Sequence, residues 1–209
     1  MFNKLFFEIK MTYKKVIIFA LAVAFLTALF LVLPFTIHTS LGNLGTSLEA
    51  WIIFALIIIM NCETPKDAAI KTFIFFLISQ PLIYLLQVPF SSLGWQIFMF
   101  YPRWFVLTLL TIPGAFVAWY IKKDNLLSGL ILSVATSFLM YQCVYYLPSV
   151  IINFPNSLLS MLLCFASGIA LNFILLKNKK SRILSIVITS LVFFILAALQ
   201  VSYMMVQVM

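Results

Sequence analysis

Long apolar runs follow one another along the whole chain, separated at short intervals by Pro, Gly, Asn, Ser or charged residues. Neither the alternation of a half-buried strand nor the one-sided stripe of a surface helix dominates; most runs are apolar all round. A helix crosses a hydrocarbon core with about twenty residues at a rise of about 1.5 Å each. Seven segments are candidates: Val16–Phe35, Leu48–Met60, Ala69–Val88, Ile97–Ile121, Leu126–Leu147, Ser157–Leu176 and Ile183–Val206. The second is the short one. It reaches crossing length only if the run begins at Leu44 and the bilayer accommodates Thr46, Ser47 and Glu49.

The charges bear on that doubtful segment. With every candidate crossing, Lys4, Lys10, Lys14, Lys15, Lys66, Lys71, Lys122, Lys123, Lys177, Lys179, Lys180 and Arg182 all fall on one side, and Arg103 alone on the other. Without the second segment, Lys4, Lys10, Lys14 and Lys15 face the clusters at 66–71, 122–123 and 177–182 across the membrane and the bias weakens. Positive charge collects on the cytoplasmic side. The pattern therefore predicts an all-α bundle of about seven transmembrane helices, N-terminus in and C-terminus out.

Composition removes the soluble alternatives. Apolar residues make up 65% and charged residues 9% of the 209, against roughly a quarter charged in soluble domains. The net charge of +8 sits in short clusters between apolar runs, which argues for topology and against nucleic acid. One transmembrane domain over residues 16–209 is expected, preceded by a basic amphipathic segment over residues 1–15. That segment is suited to an anionic inner leaflet. The first apolar run exceeds a signal-peptide core and no small-x-small cleavage site follows it closely, so it reads as a retained span. Cys62, Cys143 and Cys164 lack metal or redox spacing and read as packing residues. A bacterial plasma membrane suits this charge usage.

Arg103, in Tyr101-Pro102-Arg103-Trp104, is the most informative polar residue. A cation one to two turns inside a span must snorkel, pair or line water. Three readings follow: an outer headgroup contact with Trp104 as a belt residue, an anchor for an anionic solute, or an ion pair with Glu49. Gln87, Gln142 and Tyr145 fall at the same outer level, with Gln142 and Tyr145 three apart on one helix face. Gln80-Pro81 breaks the third segment and Pro113-Gly114 the fourth, as in helices that line transporter sites. The expected ligand set is Arg103, Glu49, Gln142, Tyr145, Gln87, Gln80, Tyr101 and Trp104. Ala20, Ala24 and Ala28 form a ridge that packs inside the bundle or meets a partner helix, and Ala166, Ser167, Gly168 and Ala170 mark another close crossing. Thr64 is placed to cap a helix beginning at Pro65, with Asp67 in its first turn.

No metal, cofactor or paired-carboxylate motif is present in the sequence, and His38 is the lone histidine. The expected function is small-solute binding and transport through an outward-facing polar pocket, with no cofactor. The chain would act alone, as a homo-oligomer, or as the membrane subunit of a larger transporter. In compactness, basic charge and the Ala20/Ala24/Ala28 ridge it resembles the substrate-capturing membrane subunits of energy-coupling factor transporters. That resemblance implies an external site and a partner on the first helix. The alternatives are a non-catalytic accessory, regulatory or immunity protein acting through helix contacts, and a lipid-active enzyme using His38, Glu49 and Arg103.

Overall fold

The computed structural model describes the backbone of residues 2–36 and 39–208, and the side chains of 5–36, 39–43 and 47–200. His38 lies outside them. Among the described residues nine α-helices follow in order: α1 Phe2–Phe7, α2 Tyr13–Val32, α3 Ser40–Thr46, α4 Leu48–Met60, α5 Pro65–Gln87, α6 Tyr101–Ala118, α7 Leu126–Ile152, α8 Leu158–Leu175 and α9 Lys179–Val208. Short 3-10 turns, Gly94–Phe100 and Trp119–Lys123, flank α6. No strand occurs among the described residues. Among the described residues six stretches are long and apolar enough to cross a membrane: Tyr13–Val32, Pro65–Gln87, Gly94–Lys123, Leu126–Ile152, Leu158–Leu175 and Lys179–Gln200. The chain is thus a multi-pass helical membrane protein. It divides into two compact units, Met1–Trp119 and Tyr120–Met209.

In the first unit α5 is the hub, with α2, α4 and α6 packed along it. It starts at Pro65, earlier than the apolar run, because Thr64 Oγ1 accepts the Asp67 amide at 3.1 Å and Pro65 needs no amide partner in the first turn. Ala20, Ala24 and Ala28 are buried where α2 runs along α5. Four-residue spacing of small side chains lets two backbones approach. The ridge is therefore an internal seam, the first of the two readings its spacing left open.

The first fifteen residues do not form one amphipathic helix. Helix α1 ends at Phe7, and Thr12 caps α2, its Oγ1 accepting the Lys15 amide at 3.3 Å. Lys14 and Lys15 thus belong to α2. Between the helices the chain is held by Asn61, whose Oδ1 accepts from the Ile9 amide at 2.8 Å and whose Nδ2 donates to the Leu5 carbonyl at 2.7 Å. Phe6 and Met11 are buried in this turn. The Trp119 indole donates to the Cys62 carbonyl at 3.0 Å, so the far end of α6 returns to the same end of the unit.

In the second unit α7 packs along both α8 and α9. Asn125 and Ser128 form a reciprocal capping box at its start. The Asp124 carboxylate accepts the Asn178 amide at 2.8 Å, which brings the two basic clusters, Lys122–Lys123 and Lys177–Arg182, to one end. Gly129, Ser133 and Thr136 on α7 and Ser181, Ser185 and Thr189 on α9 are small, buried and helically spaced. The Thr136 and Thr189 hydroxyls meet at 2.7 Å within this seam. Helix α7 continues through Pro148 to Ile152, so the loop expected from Pro148 shrinks to a few residues before α8.

Candidate functional site

Helices α3 and α4 are separated by a single residue, Ser47. Ser47 adopts φ −111°, ψ 161°, closing α3 through its amide to the Asn43 carbonyl and opening α4 as its N-cap. Its hydroxyl also donates to the Asn43 carbonyl, so Ser47 offers the α4 amides no side-chain cap. Glu49 lies in the first turn after the break, favourably placed on the helix dipole, and is 0% exposed.

The connection between α4 and α5 is short, so the two run antiparallel, and their level is set by Trp51. Its ring lies 6.1 Å from Phe75 and 5.8 Å from Phe76. One turn further along α5, Ser79 and Gln80 therefore lie about level with the break at Ser47. Both are buried, Gln80 at 3% exposure. Three polar atoms of this region have no hydrogen-bond partner: Trp51 Nε1, Ser79 Oγ and Gln80 Nε2. Thr72 Oγ1, on the same stripe of α5, is a fourth. All four groups carry hydrogen to donate. Pro81, inside α5, follows immediately and leaves a helix carbonyl without its usual amide.

Aromatic rings wall this stripe. Trp51 meets Phe54 at 5.9 Å and Trp104 at 6.4 Å, and Phe19 of α2 stacks on Phe75 at 5.1 Å. A second aromatic group, Tyr84, Phe98, Tyr101 and Phe105, continues towards the end of the unit away from the lysines.

The predicted ligand residues divide accordingly. Glu49, Gln80 and Trp104 belong to the region of the break and its aromatic wall. Tyr101 belongs to the neighbouring aromatic group. Gln87 donates to the Ile83 carbonyl at 3.0 Å, an internal helix contact. Arg103 is exposed and makes no ion pair among the described residues, so the proposed pairing with Glu49 is not formed. Gln142 and Tyr145 lie in the second unit, and the margin of the buried face passes between them. Gln142 is buried, whereas Tyr145 is 62% exposed. Trp51, Ser79 and Thr72 were missed by sequence reasoning. For Thr72 and Ser79 only the three- or four-residue spacing from Phe75 and Phe76 signals them, and nothing in the sequence signals Trp51.

Among the described residues, cavities also lie elsewhere, and none of the predicted ligand residues lines the two described next. One, of about 390 Å3, opens at the basic end of the first unit beside Lys10, Tyr13, Asn61, Glu63, Asp67 and Lys71. There Lys71 pairs with Asp67 at 2.7 Å and sits over the Tyr13 ring at 5.1 Å. The other belongs to the second unit and is lined mainly by phenyl and aliphatic side chains. No group of His, Cys, Asp and Glu suited to a metal ion occurs among the described residues, and Cys62, Cys143 and Cys164 are buried. The chain matches no family model, no curated protein and no solved structure.

Proposed function

We propose that the chain is a plasma-membrane protein that binds a small polar solute and takes part in its transport. It crosses the bilayer seven times, N-terminus in the cytoplasm and C-terminus outside, with α3 and α4 together as the second crossing. In support, the basic clusters of each unit gather at one end, as the positive-inside rule requires of cytoplasmic ends. The solute site lies at the break before Glu49 and beside Gln80-Pro81. Interrupted helices that expose polar groups at membrane depth are a recurring way to build such sites.

The observation that carries this reading is the set of unpaired buried donors, Trp51 Nε1, Ser79 Oγ and Gln80 Nε2. An unsatisfied buried donor costs about 1–3 kcal/mol, and hydrocarbon supplies no partner. A solute rich in acceptor oxygens offsets that cost. The test is thermal unfolding of the purified protein in detergent against a panel of amino acids, sugars, vitamins and carboxylates. A solute that binds only the native state raises the melting temperature. The expected hit loses its effect in Gln80→Leu and Ser79→Ala. A hit of equal size in wild type and both variants places the site elsewhere.

A further inference from the structure

We infer that the second unit holds a separate, membrane-facing site for a hydrophobic molecule that carries one hydrogen-bond donor, a long-chain alcohol in its simplest form. Helices α8 and α9 each pack along α7 but only lightly along each other. The gap between them is a cavity of about 370 Å3, within the range of about 300–1,000 Å3 usual for small-molecule sites. Phe165, Phe173, Phe193 and Phe194 supply much of its wall. Gly168, which has no side chain, and Met140 close it towards α7.

The wall carries one polar feature that the protein leaves unmatched. Asn172 lines the cavity and is 1% exposed. Its Nδ2 donates to the Gly168 carbonyl at 2.7 Å, which fixes the amide and leaves Oδ1 as an acceptor with no partner. Thr189, also on the wall, is engaged with Thr136. A lipid tail fills the space but offers the amide nothing. A buried water is held by two to four polar partners, and besides Asn172 the wall offers only the hydroxyls of Ser190 and of Thr189, the latter already engaged. A chain ending in a hydroxyl satisfies both: hydrocarbon against the phenyl rings and one O–H to Asn172 Oδ1. Phe173, Phe194 and Ile169 are exposed, so entry is sideways from the bilayer.

The test uses the full chain in nanodiscs and two photoreactive probes, a diazirine-bearing hexadecanol and its methyl ether, which differ only in the donor. The alcohol is expected to label α8 and α9 saturably, about five-fold more than the ether, the worth of one net hydrogen bond. Asn172→Leu should bring the alcohol down to the level of the ether. Ile169→Trp, a change at a partly exposed wall position, should lower both by narrowing the cavity. Equal labelling of wild type by alcohol and ether overturns the inference and leaves a lipid-facing groove. A preference for the alcohol that survives Asn172→Leu overturns it equally. Should Asn172→Leu fail to fold, the wild-type ratio and Ile169→Trp decide.

Discussion

The ideal Cβ position on Gly129 lies 2.4 Å from the backbone oxygen of Ser181. No real Cβ tolerates that distance, and the obstacle is backbone, which cannot swing away. Gly129 is therefore the point of closest approach between α7 and α9. Gly129→Ala should destabilise the second unit by about 1–3 kcal/mol, the usual penalty of overpacking. Gly114, in α6, has open space at the same position. There Gly→Ala should stabilise by about 0.5–1 kcal/mol through helix propensity alone. Reversible SDS unfolding of the two variants checks the opposite signs, and a loss at both positions contradicts the α7–α9 contact.

Asn61 holds the turn between α1 and α2 by two hydrogen bonds to backbone more than fifty residues earlier, at Leu5 and Ile9. Its Nδ2 also reaches the Ile57 carbonyl at 2.8 Å. Asn61→Ala removes all three while leaving α2 capped by Thr12. The expected result is selective loosening: amide exchange at Ile9 faster by about ten-fold, at about 1.4 kcal/mol for each factor of ten, with exchange in α5 unchanged. Uniform acceleration across the first unit would show that Asn61 supports the helices and not the N-terminal turn.

The long spans were legible because twenty apolar residues leave a chain few other options, and Thr64-Pro65-x-Asp67 announces its own helix start. The broken second crossing was half legible. Glu49 and Ser47 marked the polar interruption, but its sharpness depends on one backbone torsion pair at Ser47 that no residue type dictates. The alanine ridge showed that α2 makes a close approach without showing to what. The Gly129–Ser181 contact escaped notice because serine scatters widely in these helices, and only the pairing of α7 with α9 selects Ser181, Ser185 and Thr189. Among the site residues, depth was readable and direction was not. Gln142 and Tyr145 stand one turn apart yet one is buried and the other exposed, because the boundary of the α7 face falls between them.

The proposed topology turns on the segment from Ser40 to Met60. Phe35 and Glu63 flank it, and both are exposed. With Cys62, Cys143 and Cys164 replaced by alanine, Phe35→Cys should react with a membrane-impermeant maleimide on intact cells. Glu63→Cys should react only after permeabilisation. Labelling of both from the same side would turn Ser40–Met60 into a re-entrant or interfacial segment. It would also place the lysines at 4–15 on the opposite side from the clusters at 66–71, 122–123 and 177–182.

Gln80 separates stability from function most sharply. Its Nε2 is buried without a partner, so the empty protein bears the desolvation cost of that donor with no return. Leucine is close in size and brings no polar group. Gln80→Leu should therefore raise the stability of the unliganded protein by about 1–3 kcal/mol, while abolishing stabilisation by any solute bound at the break. Gln87→Leu, by contrast, gives up an existing bond to the Ile83 carbonyl and should leave stability unchanged or slightly lower. Paired unfolding curves, with and without solute, read both effects. A Gln80→Leu variant less stable than wild type would mean that the amide already has a partner, and the argument for a solute at this break would fall with it.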